Sequence, residues 1–171
     1  PSAYWTHYMR VLIFGAGGQL GRDLLRVFKA DYTVIGLTHA QANIVEGEAV
    51  KLAVRDARPD LVLNAAAYTD VEKAEDDERG AFHTNANGAQ RIAEASAALE
   101  VPVVYFSTDF VFDGTKRDAY TPEDKTSPKS VYAKSKLRGE ENTLWGNPQS
   151  FVIRTAWLYG PGGNNFVEKI A

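Results

Sequence analysis

A tyrosine and a lysine that could move a proton lie four residues apart, at Tyr132 and Lys136. Four residues make about one turn of an α-helix, so the two side chains share one helix face. An ammonium group beside a phenol favours the phenolate, and we expect the Tyr132 pKa to lie below its usual value of about 10. The pair indicates acid–base catalysis, although a tyrosine and a lysine also meet by chance on solvated helices.

A cluster of glycines follows the first apolar run of the sequence, from Gly15 to Gly21. Glycine permits a tight turn and lets the backbone approach a pyrophosphate, which free N–H groups and the positive end of a helix stabilise. The alternative is a tight strand-to-helix turn without a ligand. Four glycines in seven residues cost more backbone entropy than such a turn requires, so the loop predicts a dinucleotide site.

Polar or small residues follow two further apolar runs. Ser107, Thr108 and Asp109 come after Val103–Phe106, and active sites of open α/β sheets form beyond such strand ends. A hydroxyl group there could hold a substrate carbonyl, whereas the alternative is that serine and threonine cap a turn. Ala65–Ala67 ends another run with small side chains, as expected where the backbone meets a flat cofactor or where helices pack tightly.

The end of the second apolar run bears on the choice of cofactor. Many NAD enzymes place an acidic residue there to bind the ribose 2′-hydroxyl, but this sequence has Thr38 and His39. No acid excludes a 2′-phosphate, and no arginine is present to bind one. Both NADPH and NADH are therefore expected to bind, with a mild preference for NADPH.

The overall composition is that of an ordinary globular protein. Hydrophobic residues make up 44% of the chain, and the net charge of -3 gives no electrostatic reason to bind nucleic acid or an anionic membrane. The chain has no cysteine, and its three histidines are widely spaced, so no metal site is expected. The acidic stretch Asp70–Arg79 is interpreted as a solvated helix face rather than a divalent-metal site. A cytoplasmic location is predicted.

Apolar runs alternate with segments of helical periodicity along the chain. The predicted strands are Arg10–Phe14, Tyr32–Leu37, Leu61–Leu63, Val103–Phe106 and Phe151–Ile153. The predicted helices are Gln19–Lys29, Glu46–Arg55, Ala81–Leu99 and Pro128–Asn142, the last with Ser127 as its N-cap. Continuously apolar strands separated by helices indicate an α/β fold, a Rossmann-like doubly wound parallel sheet.

The chain length is that of one domain. Pro1–Tyr8 is aromatic and aperiodic and precedes Met9, so we expect residues 1–8 to be an extension outside the fold and residues 9–171 to form an NAD(P)-binding domain. Asn164 and Asn165 could cap a helix, yet only six residues follow them. We therefore expect the chain to be truncated at its C-terminus, without a C-terminal substrate domain.

Five segments together resemble one family, the dTDP-4-dehydrorhamnose reductases of the extended short-chain dehydrogenase group. The glycine spacing G-x-x-G-x-x-G at residues 15, 18 and 21 is the variant of that group. The matching segments are Val11–Gly21 (VLIFGAGGQLG), Asn64–Glu75 (NAAAYTDVEKAE), Ser107–Gly114 (STDFVFDG), Ser127–Lys136 (SPKSVYAKSK) and Arg154–Phe166 (RTAWLYGPGGNNF).

The resemblance implies reduction of the 4-keto group of dTDP-4-dehydro-L-rhamnose to dTDP-L-rhamnose by NADPH or NADH. It implies that Thr108, Tyr132 and Lys136 are catalytic, and that Thr108, Asp109 and Trp157 bind the sugar. The cofactor would contact Gly15, Gly18, Gln19, Leu20, Gly21, Thr38, Asn43, Ile44, Ala65, Ala66, Ala67, Tyr132 and Lys136. The resemblance also suggests a homodimer.

Two other functions remain open from the sequence. One is a non-catalytic dinucleotide-binding subunit resembling the regulatory partner of methionine adenosyltransferase, which shares the NAAAY and VFDG segments. Intact Thr108, Tyr132 and Lys136 disfavour it. The other is a nucleotide-sugar epimerase, which is disfavoured because Gly18–Gly21 and Ser107–Gly114 resemble the reductase versions.

Overall fold

The sheet is parallel throughout, as the sequence predicts. The computed structural model describes residues 8–160, and within them five strands pair in the order β2-β1-β3-β4-β5. The strands are β1 (Arg10–Phe14), β2 (Thr33–Leu37), β3 (Leu61–Asn64), β4 (Val103–Thr108) and β5 (Phe151–Thr155).

Helices cover both faces of the sheet, which confirms the doubly wound arrangement. Their bounds are α1 (Gln19–Phe28), α2 (Gly47–Ala57), α3 (Val71–Asp76), α4 (Glu78–Phe82), α5 (Ala89–Ala97) and α6 (Val131–Gly146). On one face Leu24 and Leu25 of α1 pack against Ile13. On the other face Val50 of α2 and Ile92 of α5 join one apolar cluster, and alternate strand residues point to each side.

The chain reverses its direction of travel across the sheet at β1. β1 pairs with β2 on one side and with β3 on the other, so the connections that leave β1 and β2 run on opposite faces. In open α/β sheets, a crevice for ligands forms outside the carboxyl ends of the strands at such a point. Here those ends lead into the glycine loop after Phe14 and the small residues after Asn64.

The predicted helix Ala81–Leu99 is wrong as a continuous α-helix. A π-helical turn, His83–Gly88, separates α4 from α5. The wide turn carries the buried Asn85, whose Nδ2 donates to the Tyr68 carbonyl oxygen and to Ser135 Oγ and whose Oδ1 accepts from the Tyr68 N–H. These bonds to distant segments stabilise a local geometry that the alanine-rich sequence does not reveal.

The start of the predicted helix at Pro128 is also wrong. Helix α6 begins at Val131, and the Ser130 side chain caps it by accepting from the Ala133 N–H at 3.1 Å. The Ser127 N–H instead donates to the Val111 carbonyl oxygen at 2.8 Å, which ties residue 127 to the end of the 3₁₀ turn Asp109–Val111. Serine-rich sequence before a helix offers several caps, and the tertiary contact at Ser127 decides between them.

The acidic stretch forms two short helices rather than one helix face. Asp70 caps α3 and Asp77 caps α4, each through a side-chain oxygen that accepts a backbone N–H. Glu75 accepts from the Val131 N–H at 2.8 Å, so one of these acids ties α3 to the start of α6. The predicted helix after Asn165 and residues 1–7 of the predicted extension lie outside the described residues.

Candidate active site

The glycine loop requires glycine at its two ends. Gly15 has φ +78, and a Cβ atom there would lie 2.5 Å from the Ala66 backbone nitrogen. A Cβ atom at Gly21 would overlap the Gly15 carbonyl oxygen. The loop is therefore pressed against both the end of β3 and the first turn of α1, and only glycine allows that approach.

The N-terminus of α1 opens towards the crevice. Its N-cap residue is Gly18, which has no side chain to bond the N–H groups of the first turn. The loop closes through the backbone, with the Gly18 N–H donating to the Gly15 carbonyl oxygen at 3.0 Å. Uncapped N–H groups and the positive helix end form an anion site of the kind that holds a pyrophosphate.

Two adjoining cavities extend on either side of this loop, and both are lined by Gly18 and Ala65–Ala67. The first has a volume of about 380 Å³ and lies beside the end of β2. The second has a volume of about 420 Å³ and lies beside the ends of β3 and β4. Together they form a groove at the carboxyl edge of the sheet, where open α/β folds bind their ligands.

Most of the predicted cofactor residues line this groove. The first cavity is lined by Gly15, Gly18, Asn43, Ile44 and Ala65–Ala67 among others. The second is lined by Gly18, Gln19, Leu20, Ala65–Ala67, Tyr132 and Lys136 among others. Gly21 and Thr38 line neither cavity. Gly21 is buried in the first turn of α1, and the Thr38 hydroxyl and N–H both donate to Gln41 Oε1.

Lys136 lies deep in the second cavity and is only 3% exposed. Its Nζ donates to the Phe106 carbonyl oxygen at 2.6 Å and stands 4.2 Å from the centre of the Tyr105 ring. Burial lowers the pKa of Lys136 to about 7, and the negative charge of Glu140 opposes that shift. The ammonium group is therefore poised to change its charge near neutral pH.

The expectation of a lowered Tyr132 pKa is wrong for this structure. Burial raises the Tyr132 pKa, the Thr108 side chain opposes that effect, and the charge of Asp109 adds to it. The Lys136 ammonium bonds to the Phe106 carbonyl rather than to the phenol, so desolvation decides the direction. Tyr132 therefore keeps its proton at neutral pH.

The three predicted substrate residues are placed differently. Thr108 is buried at the end of β4, where its hydroxyl donates to Asp109 Oδ1 at 3.1 Å and accepts from the Phe110 N–H at 3.2 Å. Asp109 lines a neighbouring cavity of about 420 Å³. Trp157 is 73% exposed with φ +53 and is absent from the linings of these cavities. The structure thus brings Thr108 and Asp109 together, and Trp157 is not among the residues that line these cavities.

The chain has close relatives among proteins of known name. The family model described as the RmlD substrate binding domain matches residues 9–171. A dTDP-4-dehydrorhamnose reductase from Sinorhizobium fredii (strain NBRC 101917 / NGR234) is 41% identical over 162 residues, which cover 95% of this chain and 55% of the relative. The chain belongs to the dTDP-4-dehydrorhamnose reductase family.

Two further members of the dTDP-4-dehydrorhamnose reductase family show how far the similarity extends. The reductase of Mycolicibacterium smegmatis (strain ATCC 700084 / mc(2)155) is 42% identical over 164 residues, covering 94% of this chain and 50% of the relative. The crystal structure of the Bacillus anthracis str. Ames reductase, in complex with NADP, has a TM-score of 0.93 and 35% identity, and the match covers 95% of this chain and 58% of that one. The chain spans about half the length of the relatives that it matches.

Several groove residues of this dTDP-4-dehydrorhamnose reductase relative were not predicted from its sequence. Thr69, Phe106 and Leu158 line the second cavity, and His39, His83 and Thr84 line the first. Glu140 was also missed, although it follows Lys136 by one helical turn and could have been found from that spacing. The contact of Arg154 with Glu140 gave no local signal, because Arg154 lies on β5 and Glu140 on α6.

Residues 8–160 were also searched for a metal site and for a membrane-spanning helix. No group of three acidic or histidine side chains there could hold a metal ion. No helix in the same part of the chain is long and apolar enough to cross a membrane.

Proposed function

We propose that this chain supplies the cofactor groove and proton-donating residues of an NADPH- or NADH-dependent enzyme. The reaction is reduction of the 4-keto group of dTDP-4-dehydro-L-rhamnose to dTDP-L-rhamnose. The observation that carries the proposal is that the cavity at the glycine loop and the cavity at Tyr132 and Lys136 share the lining of Gly18 and Ala65–Ala67. The names of the relatives support the choice of substrate.

The residues present fit a nicotinamide dinucleotide. The uncapped first turn of α1 at Gly18 and the close approach of Gly15 to Ala66 leave room for a pyrophosphate against the backbone. Asn43 and Ile44 in the first cavity offer an amide and an apolar surface for an adenine ring. Tyr132 and Lys136 in the second cavity lie where the nicotinamide end would then reach.

The chain's own side chains have distinct tasks in this proposal. The bound dinucleotide supplies the hydride. Tyr132 donates its proton to the oxygen of the reacting carbonyl, and burial suits this role because it keeps the phenol protonated until transfer. Thr108 orients the same oxygen, for which its hydroxyl must exchange the bond to Asp109 for one to the substrate. Lys136 binds the ribose next to the nicotinamide.

The proposal allows either NADPH or NADH as the cofactor. Thr38 places no acid at the end of β2, so a 2′-phosphate meets no repulsion from that position. The Bacillus anthracis relative was crystallised with NADP, which supports NADPH. Calorimetric titration of the 171-residue chain with each cofactor measures the preference. We expect binding of at least one, and the absence of heat with both would overturn the proposal.

Replacement of Tyr132 tests the chemistry. In the protein extended to the length of its relatives, Tyr132→Phe is expected to lower the turnover number by about 10²- to 10⁴-fold, because the proton donor is lost. Cofactor affinity is expected to stay unchanged. The matched control is Tyr32→Phe, since Tyr32 is exposed between α1 and β2. Undiminished turnover in the Tyr132 variant contradicts the mechanism.

The remaining partners and the location belong to the same proposal. The substrate partner is a nucleotide sugar, and the protein works in the cytoplasm. The assembly is a homodimer, a proposal supported by the exposed Leu144 and Trp145 at the end of α6. Sedimentation equilibrium of the wild type and of Trp145→Ala tests it, because loss of an anchoring aromatic residue weakens a dimer. No observation favours the regulatory-subunit or epimerase alternatives.

A further inference from the structure

Three consecutive residues of β4 bond to a single turn of α6. The Tyr105 hydroxyl donates to the Lys136 carbonyl oxygen at 3.4 Å, and the Phe106 carbonyl oxygen accepts from Lys136 Nζ at 2.6 Å. The Ser107 hydroxyl then donates to Glu140 Oε1 at 2.5 Å. Lys136 and Glu140, one helical turn apart, are thus held against neighbouring residues of the same strand.

Glu140 is a buried carboxylate with every oxygen engaged. It is 4% exposed, and beyond the Ser107 bond it receives a two-pronged contact from Arg154 on β5. Arg154 Nε lies 3.0 Å from Oε1, and its Nη2 lies 2.6 Å from Oε2. The guanidinium group is itself fixed, since its central carbon lies 5.0 Å from the centre of the Phe112 ring. Each carboxylate oxygen of Glu140 therefore accepts a charge-assisted hydrogen bond from Arg154.

We propose that Glu140 is a positioning residue for Lys136: it holds Ser107, next to the Phe106 carbonyl oxygen that receives the ammonium, and its charge acts on that ammonium, while Arg154 limits the strength of that effect. The proposal rests on the proposed function in one respect, namely that Lys136 is the lysine that binds the cofactor. Glu140 itself lines neither cavity of the groove and acts only through its neighbour.

Within residues 8–160, Glu140 is the acidic side chain whose charge acts on Lys136. The Tyr105 ring faces it from β4, and Tyr132 and Glu140 accompany it on α6. Both tyrosines are neutral at neutral pH because burial raises their pKa values. Burial lowers the pKa of Lys136, and the charge of Glu140 is what opposes that shift. Removal of this charge is expected to leave a neutral amine at neutral pH.

A purely structural role for the Glu140–Arg154 pair makes a different prediction. If the pair only fastens β5 to α6, removal of either side chain loosens the same contact and has the same effect on Lys136. If charge is what matters, the two removals act in opposite directions. Glu140→Gln removes a negative charge and lowers the Lys136 pKa, whereas Arg154→Gln removes a competing positive charge and raises it.

The direct experiment is a pH titration followed by NMR of protein labelled with carbon-13 at lysine Cε. The Lys136 signal is identified by its loss in Lys136→Met. We expect Glu140→Gln to lower the Lys136 pKa by about one unit and Arg154→Gln to raise it. The matched control is Glu141→Gln, since Glu141 is exposed and pairs with Arg138 at 2.8 Å on the outer face of α6. It is expected to leave the pKa unchanged.

Shifts of opposite sign support the proposal. An unchanged pKa in Glu140→Gln, or shifts of the same sign in both variants, overturns it. If Glu140→Gln does not fold, Arg154→Gln alone tests the proposal. A raised Lys136 pKa in that variant supports the proposal, and a Lys136 pKa that is not raised overturns it. These titrations need neither cofactor nor substrate, so their outcome is independent of whether the proposed reaction is correct. Where the cofactor binds, the pH at which its affinity falls is expected to move down in Glu140→Gln and to stay in place in Glu141→Gln.

Discussion

Lys136 Nζ donates to the carbonyl oxygen of Phe106 at 2.6 Å, which turns the ammonium of α6 towards the last residues of β4. The bond compensates for part of the water that the buried ammonium has lost. It also holds the lysine beside Tyr132 without bonding to the phenol, so both groups line the second cavity in their resting forms. The charge on Lys136 then depends on pH in the physiological range.

Lys136 is expected to make the stability of the protein rise with pH above neutrality. Its pKa is about 7 in the folded chain and about 10.4 when unfolded. Between these values the unfolded state binds more protons, so the free energy of unfolding increases by up to about 1.4 kcal/mol per pH unit. Urea unfolding of wild type and Lys136→Met at several pH values measures the difference. Lys134→Met, at an exposed position, is the control, and parallel pH curves for wild type and Lys136→Met would contradict the prediction.

Replacement of Gly15 by alanine is expected to cost more than its left-handed backbone alone explains. Gly15 and Gly114 have φ values of +78 and +73, but a Cβ atom meets the Ala66 nitrogen at 2.5 Å in the first case and nothing within 4 Å in the second. Gly114→Ala is expected to lose about 1 kcal/mol of unfolding free energy. Gly15→Ala is expected to lose about 1–3 kcal/mol more, because backbone must move. Equal losses in urea titrations would argue against the close approach.

Asn85 is expected to be the polar residue on which the π-helical turn depends. Asn85→Ala removes two bonds to the Tyr68 backbone and one to Ser135 Oγ, and it leaves partly buried groups without partners. The expected loss of unfolding free energy is about 2–4 kcal/mol. Asn87→Ala, two residues along the same turn at an exposed position, is expected to lose under about 0.5 kcal/mol. Thermal unfolding of the two variants measures the contrast, and similar midpoints would refute it.

The N-cap of α6 is open to a simple test. Ser130→Ala removes the oxygen that accepts the Ala133 N–H and is expected to lower the free energy of unfolding by about 1 kcal/mol. Ser127→Ala keeps the backbone bond from residue 127 to Val111 and is expected to change stability by less than about 0.5 kcal/mol. Chemical denaturation distinguishes the two variants. A larger loss of unfolding free energy in the Ser127 variant would support the helix start at Pro128 that the sequence predicts.

Local patterns were enough to predict the strands and most of the groove. The apolar runs that became β1 to β5 differ from the observed strands by at most two residues at an end, because a short apolar run between turn residues can be recognised without its distant partners. The glycine loop and the small residues at Ala65–Ala67 were likewise found, since backbone clearance demands small residues wherever the chain turns tightly. The roles of Thr108, Asp109 and Trp157 as substrate residues stay predictions.

The helix interruptions could not be predicted in the same way. An α-helix over residues 81–99 satisfies every local preference for alanine, yet the bonds of Asn85 to Tyr68 and Ser135 stabilise a π-helical turn. Those partners lie 17 and 50 residues away in the sequence. Local propensity amounts to tenths of a kcal/mol per residue, and a buried hydrogen-bond network outweighs it.

The sequence by itself determined that Tyr132 and Lys136 share a helix face, because a spacing of one turn is a local property of the chain. Only the tertiary structure decided how the two residues ionise. Burial beneath segments that are distant in sequence raises the Tyr132 pKa and lowers that of Lys136, and the carboxylate of Glu140 on α6 is held in place by Arg154 on β5. Desolvation and charge act through space, so the order of residues along the chain does not contain them until the chain has folded.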